Sequence, residues 1–524
     1  MRGKRGASGL FLWTEGAAWK RIGNMKARAV GLCGRAFALS AAICLTAQAG
    51  ARRPVSPGPI PASLGILTHV PSAACGRLGV AVRVLAPPKP RYEAGAPVAI
   101  NVLGGFGPGA AAGRPELTRF GFVELHFAFP GGGRGEARSG GSYDFRGPRS
   151  IRALADVIRF ATGRLRDKEG RSLDELIPGM RVLYKNCGLI GRSQGGNACG
   201  LVMAEHGKEF PDLAFYASLE SPYGEGAANA ELGGFGQRLN PAYDPKTGKL
   251  DLSKLAYSPE LSPAGKWRSS PETARLRGAL FFDMDDDGRF DPKRDFLECA
   301  VTWDPGDGIK AWYSPRLLRE AERRRLYGKK RPAHFPTVAE AAAFWHWRDA
   351  APSIPQAVRN SPRAAVIVYA NERDHVQTAP DHPHILVQVE GFRKAGARFV
   401  RLNPDRCYVE SAWPKRIPLP ADLRRRLADN AAGAAWDRSN IRAGLEPEEL
   451  PSFVGIQAAA CELADRTQRN RWDADLAQTL CRFEPLPPLS LPGRPGRFQP
   501  WHRPPQEFPN RTRLRPEEKS DASR

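Results

Sequence analysis

Gly188-Leu-Ile-Gly-Arg-Ser-Gln-Gly-Gly-Asn197 is the stretch whose reading decides the fold. It contains Gly191-Arg192-Ser193-Gln194-Gly195, a G-x-S-x-G pattern, between a short apolar run and the helix-compatible Asn197-Ala-Cys-Gly-Leu-Val-Met-Ala-Glu205. A serine so placed reads as a sharp strand-to-helix turn that lifts its hydroxyl above the end of a sheet. Such a turn is strained and crowded, and glycine on either side removes the Cβ clashes. G-x-S-x-G also arises by chance in glycine-rich chains, so an ordinary turn is the alternative; the flanking runs favour the elbow.

Outward from this point the chain alternates strands and helices. Gly79-Val-Ala-Val-Arg-Val-Leu85, Ala96-Pro-Val-Ala-Ile-Asn-Val-Leu103 and Phe120-Gly-Phe-Val-Glu-Leu-His-Phe-Ala-Phe129 read as strands before the elbow. Ile151–Ala161 has helical apolar spacing. Leu213–Leu219, Ala364–Ala370 and Ala397–Leu402 read as later strands, with a helix from Asp381 to about Lys394. Glycines cluster at strand ends, as in Gly104-Gly105-Phe106-Gly107 and Pro130-Gly-Gly-Gly-Arg-Gly135. Neither cluster carries the Lys-Ser/Thr of a phosphate-binding loop. The alternation predicts an α/β fold: a mainly parallel sheet with helices on both faces, its strand C-termini on one ligand-binding rim.

The elbow, the glycine loop after the second of these strands, the strand order and Asp374 together resemble the α/β-hydrolase superfamily. Ser193-Gln-Gly-Gly196 is similar to the prolyl oligopeptidase and dienelactone hydrolase branch. The resemblance covers roughly residues 79–220 and 361–403. It implies acyl transfer on an ester or peptide substrate through an acyl-enzyme at Ser193. Backbone N–H groups of Gln194, Gly105 and Phe106 would hold the oxyanion, although Leu103 stands where the family often has His. In Asn371-Glu-Arg-Asp-His-Val376 the implied acid is Asp374, with Glu220 as the alternative. The family's base follows the last strand, yet Asn403-Pro-Asp-Arg-Cys-Tyr408 has no His, and the only later one is His502. His375 and His384, with His382, are the nearest substitutes; His126 and His346 are outsiders. The missing base keeps two rivals open: an inactive hydrolase-fold binding protein, and a calcium-dependent surface protein.

Residues 223–360 break the alternation and form an insert or lid between the sixth and seventh core strands. It contains Asp283-Met-Asp-Asp-Asp-Gly-Arg-Phe-Asp291, then Asp295. Asp283, Asp285, Asp287 and Gly288 match the opening of an EF-hand-type calcium loop, with the Arg289 carbonyl at position seven and Asp291 at nine. Position twelve is Arg294 rather than the bidentate Glu, and Asp295 beside it is a candidate to close the shell. Hard oxygen ligands without His favour a structural calcium over a catalytic metal; no organic cofactor is expected.

The chain has 524 residues and a net charge of +23, with the excess arginine dispersed along it. Dispersed charge without a recognition motif argues for a basic surface rather than a nucleic-acid partner. Met25–Arg35 is basic, Ala36–Leu45 is an apolar run too short to span a bilayer, and Ala47-Gln48-Ala49 supplies a cleavage site. These read as a signal peptide, predicting a secreted or periplasmic protein without a stable membrane span. Seven cysteines then remain, an odd number, and Cys461 with Cys481 is the most local pairing. The expected organisation is an upstream extension (1–24), signal peptide (25–49), linker (50–78), first core part (79–222), insert (223–360), second core part (361–409), helical extension (410–485) and disordered basic tail (486–524). Oligomeric state is not legible in the sequence.

Overall fold

A computed structural model describes residues 65–472 apart from 114–115, 226–230, 234–237, 265–271, 413–434 and 447–449. The signal peptide, the basic tail and His502 lie outside the described residues.

Eight strands form the central sheet: β1 (Ile66–Val70), β2 (Val80–Leu85), β3 (Ala96–Val102), β4 (Val123–Phe127), β5 (Val182–Arg192), β6 (Leu213–Leu219), β7 (Ala365–Tyr369) and β8 (Val400–Leu402). Their spatial order is β1-β2-β4-β3-β5-β6-β7-β8. β2 runs antiparallel to both neighbours, and from β4 through β8 every pairing is parallel. Every residue of β3, β4, β6 and β7 is buried, as parallel strands covered on both faces must be.

The pleat distributes these side chains between two cores. Val98, Ile100, Leu189, Val366 and Val368 face one, with α1 (Pro148–Ala161), α2 (Gln194–His206), α3 (Ile354–Asn360) and α4 (Pro383–Lys394). Ala99, Ile190, Ala365 and Ile367 face the other, against α5 (Ser452–Arg469). α1 starts with Pro148 at its first turn, and the Asp144 carboxylate accepts the N–H groups of Gly147 and Arg149 at 3.1 and 2.6 Å. That side chain satisfies donors left over at a helix start.

Two boundaries differ from the sequence expectation. The proposed linker 50–78 contains β1, which pairs with β2 from Ile66↔Val84 to Val70↔Val80. In the proposed extension 410–485, α5 is a core helix across β5, β6 and β7. Arg91 holds its Asp465 by two hydrogen bonds of 2.6 Å, so this late helix completes the second face of the sheet.

Between β6 and β7 the chain leaves the sheet. It forms a three-stranded antiparallel sheet (Leu255–Ser258, Ala279–Phe282, Phe296–Leu297), a hairpin (Val301–Trp303 with Lys310–Trp312) and helices Pro315–Arg324 and Val338–His346. These elements share an aromatic-rich core that includes Phe282, Trp312, Tyr313 and Phe344, and it takes in Phe106 and Phe145 from the loops after β3 and β4.

One row of register partners positions the site. Val102 pairs with Gly191, Gly191 with Ser218, Ser218 with Val368 and Val368 with Leu402. The residues just beyond that row, Gly104, Ser193, Glu220 and Asn371, therefore emerge side by side at the carboxyl edge.

Candidate active site

Ser193 occupies the turn between β5 and α2 with φ 49° and ψ −126°. For a non-glycine residue this conformation costs about 1–3 kcal/mol and persists only where its surroundings over-determine it. Those surroundings are visible. Ser193 N–H donates to Leu219 O at 2.8 Å, and its own carbonyl accepts from Gly196 N–H at 2.8 Å. A Cβ on Gly195 would lie 2.2 Å from Val102 O, and one on Gly191 would lie 2.7 Å from Gly196 Cα. The serine is half-buried, not sealed inside.

The glycine loop after β3 lies against the serine: a Cβ on Gly104 would come 3.0 Å from Ser193 Cβ. Gly105 has φ +68°, and a Cβ there would meet nothing within 4 Å, so its backbone faces open space. The loop's carbonyls are held from the other side. The buried Arg146 donates Nη2–H to Leu103 O at 2.9 Å, and Tyr143 Oη donates to Phe106 O. Gln194 opens α2, where an N–H has no acceptor within the helix, while its side-chain amide donates to Arg348 O at 2.7 Å. Phe106 stacks on Phe145 at 4.9 Å and Phe145 on Trp303 at 5.4 Å, joining the insert to the loop.

The carboxylates and imidazoles sort into two separate groups. Glu220, 2% exposed, follows β6 with φ 42°, and its N–H donates to Tyr369 O at 3.0 Å. Its Oε2 receives His375 Nδ1 at 2.5 Å, while Oε1 accepts both the backbone and side-chain N–H of Asn371 at 3.3 and 3.2 Å. The His375 imidazole is 44% exposed. Burial disfavours its charged form, but the hydrogen bond and charge of Glu220, aided by Asp374, raise its pKa above the usual imidazole value.

Asp374 points the other way. Its Oδ1 accepts the N–H groups of Val376 and Gln377 at 2.9 and 2.8 Å. Its Oδ2 lies 2.6 Å from His384 Nε2 and 3.5 Å from His382 Nδ1. These are close contacts rather than well-aligned hydrogen bonds, since neither nitrogen completes one. The Asp374 and His384 side chains are both fully buried. Burial would raise the Asp374 carboxyl, yet the two imidazoles, His384 foremost, hold it well below the ordinary carboxylate range.

Neighbouring side chains thus diverge among the candidates: Asp374 meets His384 at the start of α4, while Glu220, the alternative acid, meets His375. His126 sits on β4, buried with Glu124 at 2.9 Å and Asn101 at 3.4 Å, and His346 is exposed at the end of an insert helix. Asp283, Asp285 and Asp287 converge in the insert, one oxygen of each lying within 4.8 Å of the others. Asp295 is not one of these three; its two oxygens accept the Met284 and Asp291 N–H groups at 2.9 and 2.7 Å. Cys461 is a free buried thiol, which the expected pairing with Cys481 does not allow, and Cys481 itself lies outside the described residues; Cys407 is disulfide-bonded. Among the described residues, no helix is long and apolar enough to cross a membrane.

Sheet order, the strained serine after β5 and the glycine loop after β3 together define an α/β-hydrolase fold. No family model matches the chain, and no curated protein does. Solved structures similar to it include an α/β hydrolase from Sphaerobacter thermophilus, 15% identical over 64% of this chain and 92% of that one, with a TM-score of 0.29. A puromycin-hydrolyzing peptidase from Mycobacterium tuberculosis is 13% identical over 76% and 44%, with a TM-score of 0.31. Carboxyl esterase 2 from Tuber melanosporum is 11% identical over 64% and 75%, with a TM-score of 0.29. Likenesses this low carry no argument about activity; the fold stands on its own topology.

Proposed function

We propose that the protein is a serine hydrolase acting on an ester or peptide bond. One observation carries this reading: Ser193 and His375 are both anchored on the Leu219–Glu220 step, the serine through Leu219 O and the imidazole through the Glu220 carboxylate. Ser193 Oγ attacks the substrate carbonyl while its proton passes to His375 Nε2. Glu220 holds Nδ1–H, which fixes the tautomer and stabilises the imidazolium that forms. The N–H of Gln194, with those of the Gly105–Phe106 turn, receives the developing oxyanion, each donor contributing about 3 kcal/mol to barrier lowering in comparable sites. His375 then protonates the leaving group, and water releases the acyl group by the same route in reverse. This makes Glu220 the acid and leaves Asp374 and His384 as supports of the neighbouring loop.

The test is a fluorophosphonate probe on the full chain. Labelling should occur in the wild type, vanish in Ser193→Ala and fall at least a hundredfold in rate in His375→Ala. Absence of labelling in folded wild type at any pH from 6 to 9 would return the protein to a binding role. Export is part of the same proposal, supported by the disulfide at Cys407, since such bonds persist in oxidising compartments. A mature N-terminus near residue 50 in secreted material is the expected result.

A further inference from the structure

We infer that the Asp283–Asp295 loop of the insert binds calcium weakly and that Arg294 is an internal competitor for the same carboxylates. This inference is independent of the hydrolase reading.

The loop begins where strand Ala279–Phe282 ends, so its first carboxylate projects from a rigid element. Asp283 is 5% exposed. Its Oδ2 accepts Gly288 N–H across the turn at 2.8 Å, while Oδ1 is buried without a hydrogen-bond partner. A buried carboxylate oxygen left without a donor is costly, and a cation at that point removes the cost. Asp285 and Asp287 each bring an oxygen within 4.8 Å of the Asp283 ligand atom. Asp286 and Gly288, at φ 60° and 74°, bend the chain to bring these alternate residues together.

The frame behind the ligands is closed. Asp295, 2% exposed, clamps the ends of the loop by accepting Met284 and Asp291 N–H groups. Arg238 donates to Lys293 O at 2.6 Å and also to Asp295 O, fastening the loop to the rest of the insert. The converging ligands are the three carboxylates; the calcium-loop pattern adds the Arg289 carbonyl at position seven and Asp291 at nine, either directly or through water. All are hard oxygens, Asp283 buried at the base of the turn and Asp285 and Asp287 exposed on it. That suits calcium, whose coordination is flexible, better than magnesium, which demands a tight octahedron, or softer metals.

Arg294 stands at position twelve, where a calcium loop of this type carries a bidentate Glu. Its guanidinium pairs with Asp285 and lies 3.9 Å from Asp291 Oδ2, on a side chain that is 65% exposed. The guanidinium thus offsets part of the loop's negative charge at Asp285 in the absence of metal, and calcium must displace it. An exposed ion pair is a modest competitor, so binding is weakened rather than abolished. Affinity belongs in the range of extracellular modules, a Kd of about 10⁻⁴–10⁻³ M.

The experiment uses the full chain, stripped with EGTA and titrated with calcium chloride at constant ionic strength, with Tm and calorimetry as readouts. Wild type should show a saturable rise in Tm with a midpoint of about 10⁻⁴–10⁻³ M, and magnesium should give a smaller one. Asp287→Asn, at an exposed position, should weaken binding about tenfold. Arg294→Glu removes the competitor and supplies the missing carboxylate, and should tighten binding about tenfold or more. No saturable response in either wild type or Arg294→Glu overturns the inference. An Arg294→Glu variant that binds calcium no more tightly than wild type overturns the role given to the arginine.

Discussion

His375 Nδ1 lies 2.5 Å from Glu220 Oε2, across 155 positions of sequence, and the His375 amide N–H points to the same oxygen at 3.4 Å. The carboxylate thereby fixes both the ring and the backbone that carries it. With Nδ1–H committed to Glu220, Nε2 is left as the ring's basic position. The His375 imidazole is 44% exposed, whereas the His384 side chain is fully buried.

Glu220→Gln should lower kcat/KM by about 10²–10⁴-fold, because the ring loses the charge that fixes its tautomer and supports its protonated form. The measurement is hydrolysis of p-nitrophenyl esters, with circular dichroism as a check on folding. A loss smaller than tenfold in a folded variant would remove Glu220 from the mechanism.

The raised His375 pKa has consequences of opposite sign for activity and stability. A protonated imidazole cannot take the serine proton, so kcat/KM should rise with pH through an apparent pKa above about 6.5. Glu220→Gln should shift that limb to lower pH. Because the folded value exceeds the unfolded one, the ionic contribution to stability is fully present below about pH 6.5 and is lost as pH rises through the folded value. The half-exposed ring makes it small. Urea midpoints of wild type and His375→Asn should converge toward alkaline pH.

Asp374→Asn tests a different role. Asn removes the carboxylate charge that faces His384 and His382 in a buried site, and loss of a buried polar partner costs about 1–3 kcal/mol. The depressed folded pKa of Asp374 means that wild type enjoys this contribution above about pH 3.9 and loses it as pH falls through the folded value. Urea unfolding at pH 7 should therefore show a large drop in midpoint for Asp374→Asn. Its loss of kcat/KM should be smaller than that of Glu220→Gln, and the reverse ranking would restore Asp374 as the acid.

Gly195→Ala should damage both stability and activity. The new methyl would press on Val102 O and Leu103 O, 2.2 and 2.6 Å from its ideal position. Overpacking of this kind costs about 1–3 kcal/mol, and relief requires α2 to shift, taking Ser193 with it. A lowered Tm together with slower fluorophosphonate labelling is expected; an unchanged Tm would mean the helix tolerates more room than the packing implies.

Legibility followed sequence distance. β6 and β7 were readable as continuous apolar runs because strands covered on both faces exclude polar residues along their length. The elbow was readable because its strain is local and needs glycine nearby. Glu220 stood out only as a carboxylate at a strand end, with nothing in its neighbourhood to mark His375 as its partner. β1 was hidden in a Pro- and Gly-rich entry, and α5 lay within a stretch that reads as an appended helical extension, so neither announced its place on the sheet.

What the amino-acid sequence determined alone was the parallel layer, the turn that presents Ser193 and the acidic loop in the insert, each set by residues within a few positions of one another. Tertiary structure decided which carboxylate meets which imidazole. Asp374 and His375 are adjacent in the chain, but their side chains leave it in different directions, one toward buried His384 and the other toward Glu220. Strand register brings Leu219 beside Arg192 and Tyr369, and that alignment of β6 with its neighbours puts Ser193, the Glu220 carboxylate and its His375 partner on one edge.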